Sequence, residues 1–97
     1  MHYIVIAKDI EDSGGLRSAT LPEHRGYVDA HANIIVVSGP LLADDSDLRI
    51  GQFFLLEVDS RNDAESFVAA DPFTRAGIFD EVLVSRIETK FELGRRI

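Results

Sequence analysis

The 97-residue sequence contains no cysteine. Because thiol chemistry needs that side chain, disulfide bonds, thiolate zinc sites, iron–sulfur clusters and cysteine nucleophiles are all excluded. Basic residues are also scarce, with ten lysines and arginines against 17 acidic residues and a net charge of -7. Phosphate backbones and anionic membranes repel a domain of this charge, so we expect neither nucleic acid nor a membrane as a partner.

Long apolar segments are absent as well. No hydrophobic run approaches the roughly 20 residues that cross a bilayer, and Met1-His2-Tyr3 lacks the basic region of a secretory signal. We therefore expect a cytoplasmic protein. Hydrophobic residues make up 45% and charged residues 28% of the chain, as in globular proteins. Residues 1–97 suffice for one domain with a single core.

Short β-branched and aromatic blocks predict four strands, and two segments between them predict helices. The strands are expected at Tyr3–Ala7, Ile34–Val37, Phe53–Val58 and Glu81–Ile87. The first helix is expected to start at Thr20, with Pro22 in its first turn, and to end near Asn33. The second is expected to start after a Ser60 cap and to stop at Asp71-Pro72. Ser38-Gly39-Pro40 is expected to end the second strand, before an acidic hairpin loop around Asp44–Asp47.

The resulting order, βαββαβ, is typical of the α+β ferredoxin-like fold: a four-stranded antiparallel sheet with both helices on one face. The first three predicted strands are apolar at successive positions, so both faces of the sheet are expected to be apolar. Two helices cover only one face, and an open apolar face is prone to aggregate. We therefore expect a second copy to cover it, giving a homodimer through the sheet.

In this topology the ends of the first two strands, the start of the first helix and the end of the second helix share one edge. The polar residues expected there are Asp9, His24, Ser38-Gly39-Pro40 and Asp71. His24 and Asp71 both fall on the apolar stripes of their helices. An inward His–carboxylate pair is a common general acid/base arrangement. The alternative is structural: Asp71 caps an Asp-Pro turn, and His24 is a core histidine bonded to a backbone carbonyl.

Metal sites are not expected. His24 and His31 lie two helical turns apart, too far to share an ion. The acidic loop around Asp44–Asp47 lacks the glycine and distal glutamate of a calcium loop. We expect no cofactor. The basic end with Arg95 and Arg96 is expected to be a solvated terminus, the alternative being a segment that reaches over a partner subunit.

An ordered set of short motifs resembles the YCII-related (YciI-like) domain family over nearly the whole chain. The motifs are Tyr3–Ala7 with Asp9, Arg17, Pro22-Glu23-His24, Ser38–Leu41, Ala64, Asp71-Pro72-Phe73 and Ala76–Phe79. The resemblance implies a ferredoxin-like fold, assembly as a dimeric α+β barrel, and a characteristic histidine and aspartate suspected of enzymatic function. These fall on His24 and Asp71. Many members have an arginine where this chain has Leu21, which leaves Arg17 alone for an anion contact.

Three functions follow as hypotheses. The first is a cofactor-independent enzyme in which His24 and Asp71 are catalytic and act on a small anionic or aromatic metabolite by hydrolysis, elimination or proton transfer. Its substrate-binding candidates are Asp9, also a second candidate partner of His24, with Arg17, Ser38, Gly39, Pro40 and Phe73. The second is a non-catalytic ligand-binding or regulatory dimer that uses the same cleft. The third, an RNA-recognition module, is disfavoured by the acidic charge.

Overall fold

The computed structural model describes all residues from 1 to 97. Its helices are α1 (Gly14–Ala30), α2 (Arg61–Ala70) and the one-turn α3 (Pro72–Arg75), and a short 3-10 turn covers Ala32–Ile34. Its strands are β1 (His2–Asp9), β2 (Ile35–Leu42), β3 (Arg49–Glu57), β4 (Phe79–Ile87), β5 (Phe91–Glu92) and β6 (Arg95–Arg96). None of these helices combines the length and the apolar character of a membrane-spanning segment.

The first four strands form one antiparallel sheet in the order β2-β3-β1-β4. This order, with the two long helices in the crossover connections, is the predicted ferredoxin-like α+β fold, which is confirmed. Side chains alternate along β1, so that Tyr3, Val5 and Ala7 are buried. They pack with the inward side chains of β3 and with α2, and the core is Tyr3, Val5, Phe54, Leu56, Val58, Ala64, Phe67 and Val68.

The first helix begins at Gly14, six residues earlier than the prediction from Thr20. Pro22 therefore lies inside the helix and not in its first turn. A proline has no N–H to donate to the carbonyl four residues back, which is that of Ser18. Ser18 is exposed, so water can satisfy this carbonyl. The earlier start places Arg17 on the same helix as His24, and these are the two buried residues of α1.

The second strand also differs from the prediction, because Ser38-Gly39-Pro40 does not end it. β2 continues through these residues to Leu42, paired with β3 from Ile35 onward. It is an edge strand of the sheet, where a proline can be accommodated because one side of the strand needs no hydrogen-bond partner. The second helix, by contrast, starts as predicted, with the Ser60 hydroxyl accepting the Asp63 N–H at 3.1 Å.

The sheet face away from the core carries apolar side chains from all four strands. Ile6, Val37 and Leu83 are exposed there. Phe53 and Leu55 lie on the same face, paired with Ile6 and Ile4 of β1. This arrangement agrees with the prediction of a sheet that is apolar on both sides, and it leaves a continuous apolar surface on the single chain.

The C-terminal residues are exposed, as the sequence suggests, but they are not a frayed end. β5 and β6 pair as a two-stranded hairpin, with Phe91 opposite Arg96 and Glu92 opposite Arg95. The turn uses Leu93 and Gly94, both at positive φ. Glycine adopts this conformation without the steric cost that other residues have, which suits Gly94 to the turn.

Candidate functional site

A buried His–Asp pair lies between α1 and the junction of α2 with α3. The His24 Nδ1 atom is 2.8 Å from the Asp71 Oδ1 atom. His24 is 6% exposed and Asp71 is fully buried. The other ring nitrogen of His24, Nε2, has no hydrogen-bond partner in the chain. It is not fully buried. The pair therefore leaves one imidazole nitrogen open to an incoming molecule.

Asp71 is held at this position by the local chain. It ends α2 and caps α3, and its Oδ1 atom also accepts the Phe73 backbone N–H at 2.9 Å. Pro72 follows it, and a residue before proline is biased toward the extended backbone that Asp71 adopts. The Asp71 Oδ2 atom is buried without a partner in the chain. The structural alternative is therefore right that Asp71 caps the Asp-Pro turn. The same carboxylate also binds His24, which that alternative did not include.

The His24 ring is clamped by aromatic side chains. It stacks on the Phe73 ring with centroids 3.8 Å apart and planes within 4° of parallel. The Phe54 ring lies 6.5 Å from it, across the core. Phe73 is only 1% exposed, and its ring lies directly against the imidazole. It therefore holds the imidazole in position, whereas its contact with a substrate stays a prediction.

Arg17 and Asp9 form a second buried pair next to the first. The Arg17 Nε atom bonds Asp9 Oδ2 at 2.5 Å, and Arg17 Nη2 bonds Asp9 Oδ1 at 3.1 Å. The Ser13 hydroxyl donates to Asp9 at 2.7 Å. Asp9 is therefore engaged by Arg17 and Ser13, and Asp71 is the carboxylate that contacts His24. The two pairs meet at Phe73, since the Arg17 guanidinium carbon lies 4.8 Å from that ring centre.

Ser13 and Gly51 belong to this arrangement although sequence reasoning did not single them out. The Gly51 carbonyl accepts from Arg17 Nη2 at 2.7 Å. A side chain at Gly51 would place its Cβ 2.4 Å from the Ala7 carbonyl oxygen, so only glycine fits there. A glycine inside a strand commonly marks such a close backbone approach, and this was the available signal.

Ser38, Gly39 and Pro40 lie outside the contacts of the His–Asp pair, and their role in substrate binding stays a prediction. Ser38 pairs with Phe54 on the helix-covered face but makes no hydrogen bond to either residue of the His–Asp pair. Gly39 pairs with Phe53 and so belongs to the opposite face of the sheet. Pro40 is exposed on the edge strand. The structure therefore brings His24, Asp71, Phe73, Arg17 and Asp9 together and leaves this segment outside their contacts.

A cavity of about 350 Å³ lies beside Arg17, and Leu21, Leu48 and Arg49 also line it. Arg17 and Leu21 precede His24 by seven and three residues on α1, so all three share one face of the helix. The Arg17 Nη1 atom has no partner within the chain and is not fully buried. A guanidinium N–H and a second arginine are thus available to an anionic oxygen in this cavity, although His24 itself is not among its lining residues.

The family model for the YCII-related domain matches residues 1–88. The chain belongs to the YCII-related family. Among solved structures, the chain is 33% identical to 5-chloro-2-hydroxyhydroquinone dehydrochlorinase (TftG) from Burkholderia phenoliruptrix AC1100, in complex with 2,5-dihydroxybenzoquinone. That match has a TM-score of 0.82 and covers 91% of this chain and 94% of that one.

A second structure shares the fold of this YCII-related protein. It is an antibiotic biosynthesis monooxygenase, 14% identical, with a TM-score of 0.53, covering 92% of this chain and all of that one. At this identity the likeness concerns the fold alone. No curated protein matches the sequence significantly.

The Asp71 carboxylate also influences the phenol of Tyr27 in this YCII-related protein. Burial raises the pKa of Tyr27 above its ordinary value, and the nearby Asp71 carboxylate adds to the rise. The Tyr27 hydroxyl donates to the Phe67 carbonyl oxygen at 2.7 Å. Tyr27 therefore stays protonated and fixes α1 against α2, the two helices that hold the His–Asp pair.

Proposed function

We propose that this protein is an enzyme in which His24, oriented by Asp71, transfers a proton to and from a small hydroxylated aromatic or quinone substrate. The observation that carries the proposal is the 2.8 Å contact between His24 Nδ1 and a fully buried carboxylate, with Nε2 left open. When the ionised Asp71 accepts from Nδ1–H, the tautomer is defined and Nε2 becomes the basic nitrogen. The buried carboxylate also stabilises the imidazolium after proton transfer.

An elimination fits these groups. The reacting form is the keto tautomer of the substrate, in which a proton has moved from one hydroxyl to the ring carbon that bears the leaving group, so that this carbon is saturated. His24 Nε2 takes the proton of a second, conjugated hydroxyl, and the O–H bonding pair becomes the second bond of a carbonyl. The neighbouring C=C pair shifts to form a double bond to the saturated carbon, and the bond to a leaving group such as chloride breaks with its electron pair going to that group. The products are a quinone, the leaving anion and the imidazolium, which returns its proton to water. The step needs no oxidant, because the substrate loses only a proton and the leaving anion, and no electrons are transferred to another molecule.

Arg17 and Arg49 support an electron-rich substrate. Both line the cavity of about 350 Å³ that Leu21 of α1 also lines. A phenolate or enolate oxygen placed there would accept a hydrogen bond from the free Nη1 of Arg17. This hydrogen bond strengthens as negative charge develops on the oxygen. The proposed substrate class is the one on which the 33% identical dehydrochlorinase acts.

Ligand binding tests this function directly. We expect 2,5-dihydroxybenzoquinone and chlorinated hydroxyhydroquinones to raise the melting temperature of the protein, since a ligand that binds only the folded state stabilises it. We expect a chlorinated compound to release chloride in the presence of the protein, measured with a chloride electrode. Stabilisation without chloride release or any other turnover would favour the ligand-binding alternative. The absence of both effects across small aromatic anions would contradict the proposal.

We also propose that two copies pack through the open sheet face. Its side chains include Ile6, Val37 and Leu83, which are exposed on the single chain. A continuous apolar surface of this kind marks an interaction site, and a twofold contact lets one face serve both partners. The His–Asp pair lies on the other side of the sheet, so this contact would leave the imidazole accessible.

Light scattering at micromolar concentration tests this assembly, and the expected mass is twice 10.8 kDa. Replacing Val37 with aspartate places a charge on the open face and is expected to shift the protein toward monomer. The matched variant Ser66→Asp, on the exposed side of α2, is expected to leave the mass unchanged. A wild-type protein that remains a monomer at this concentration would contradict the proposed dimer.

A further inference from the structure

The C-terminal arm, defined as residues 89–97, is the part of the chain that the family model does not cover. It holds three basic residues and one acidic residue, a net charge of +2 against -9 for residues 1–88. Arg95 and Arg96 form no ion pair with any carboxylate, whereas Lys90 pairs with Glu88 at 2.6 Å. Two unpaired cations therefore project from an otherwise acidic molecule.

The arm also exposes apolar side chains. Leu93, at the tip of the hairpin, is 97% exposed, and Phe91 and Ile97 are exposed as well. The Arg96 guanidinium lies 5.3 Å from the Phe91 ring centre, which is the one aromatic contact within the arm. An isolated two-stranded hairpin is at best marginally stable in water. A hairpin with an apolar tip and two free arginines is suited to dock on an apolar surface with acidic residues.

Such a surface exists at the other end of the sheet. A cavity of about 680 Å³ lies where β1 ends and β3 begins. Its apolar lining includes Ile10, Leu48 and Ile50, all exposed on the single chain. Glu11 and Asp12 also line it, and neither forms an ion pair or a side-chain hydrogen bond. Lys8 and Arg49 line the same cavity, so its free charges balance, and Glu11 and Asp12 are the two carboxylates that the free cations of the arm can meet there.

The arm of a chain is too far from the cavity of the same chain. The arm follows Ile87, which pairs with His2 at the start of β1, whereas the cavity lies beside Lys8 and Asp9 at its end. The two ends of β1 are seven residues apart, which is about 23 Å along a strand. A hairpin of nine residues folds back on itself and so extends only about 15 Å. The arm can therefore fill this cavity only on another molecule.

We propose that the arm of one copy docks into the cavity at the β1 and β3 ends of a second copy, with Leu93 among Ile10, Leu48 and Ile50, and with Arg95 and Arg96 against Glu11 and Asp12. This inference rests on the proposed homodimer. A twofold axis lying across the strands places the His2 end of one sheet over the Asp9 end of the other, which brings the arm to the cavity. Leu48 and Arg49 also line the smaller cavity beside Arg17, so the docked arm forms a wall of the partner's candidate site.

The absence of cysteine allows a clean cross-linking test. Chains carrying Leu93→Cys are mixed with chains of a different tag length carrying Leu48→Cys, and the mixture is mildly oxidised. We expect a disulfide-linked heterodimer on a non-reducing gel. In the matched control, Leu93→Cys is mixed with Val37→Cys on the open sheet face, and little heterodimer is expected. Cross-linking to Val37→Cys in preference to Leu48→Cys would overturn the proposal.

Charge reversal gives a second readout. The variant Arg95→Glu with Arg96→Glu is expected to raise the dimer dissociation constant at least tenfold at low salt, because like charges then face each other across the contact. Adding Glu11→Lys and Asp12→Lys in the same chain is expected to restore most of the affinity. If reversal leaves the dissociation constant unchanged, or the second pair of changes gives no recovery, the proposal is wrong. A monomeric wild type would instead contradict the dimer itself, whereas a dimer without the Leu48 cross-link contradicts only the docked arm.

Discussion

Replacing His24 with asparagine is expected to reduce turnover by about two to four orders of magnitude, as the loss of a positioned general acid/base does. The asparagine amide has nearly the shape of the part of the imidazole that contains Nδ1, so it can still form a hydrogen bond with Asp71. It cannot carry a proton between substrate and water. The measurement is kcat per folded molecule on the substrate that the ligand experiment identifies. Binding of the same ligand is expected to change far less than kcat, because the imidazole acts in the proton-transfer step.

His31→Asn is the matched control, since His31 lies on the C-terminal end of the same helix and bonds the Tyr27 carbonyl at 2.7 Å, away from Asp71. It is expected to keep nearly full turnover. If both histidine variants lower activity only in proportion to the folded fraction, His24 is a structural residue. In that case the melting temperature, and not kcat, would carry the effect of His24→Asn.

Replacing Arg17 with methionine is expected to lower the free energy of unfolding by about 3–5 kcal/mol, which is the range for removing one partner of a buried ion pair. The Asp9 side chain is 3% exposed and that of Arg17 is 10% exposed. Without the guanidinium, the Asp9 carboxylate keeps only the Ser13 hydroxyl, and the Gly51 carbonyl loses its donor. Urea unfolding followed by circular dichroism measures the change.

Two further variants identify the cause of this loss. Adding Asp9→Asn to Arg17→Met is expected to recover part of the stability, because the uncompensated charge is then absent. Arg61→Met removes an exposed partner of Glu65, in a pair bonded at 2.7 Å, and is expected to cost less than about 0.5 kcal/mol. A change below about 1 kcal/mol for Arg17→Met would show that the Asp9 pair is not effectively desolvated.

The order of elements was predictable because each is encoded locally. The β-branched blocks, the Ser60 cap and the Asp71-Pro72 stop all act within a few residues, and the structure confirms them. The start of α1 was not predictable in the same way. Gly14 and Gly15 are poor helix formers, and Pro22 favours a first turn, so local preferences point to a later start than the one observed. The longer helix buries Arg17 against Asp9, a contact between distant elements that offsets these weak propensities.

The same distinction applies to the candidate site. The periodicity of α1 and α2 by itself places His24 and Asp71 inward, and the family resemblance selects the same two residues. Their burial and their 2.8 Å contact confirm the inward placement that the periodicity predicts. Asp9 was an open alternative as the partner of His24, because the topology brings both carboxylates to one edge of the sheet. Only the packing of α1 on the sheet assigns Asp9 to Arg17 and Asp71 to His24.

The βαββαβ order, the acidic charge and the inward placement of His24 and Asp71 follow from the amino-acid sequence alone, because composition, turn residues and helical periodicity are local or additive properties. Three-dimensional packing was needed to show which charges pair, that Phe73 stacks under the imidazole, and that Ser38-Gly39-Pro40 runs through an edge strand. It was also needed to show the hairpin within residues 89–97. These features depend on side chains distant in sequence meeting in a low-dielectric interior, where distances of a few ångströms change the free energy of a charge by several kcal/mol and no local pattern specifies them.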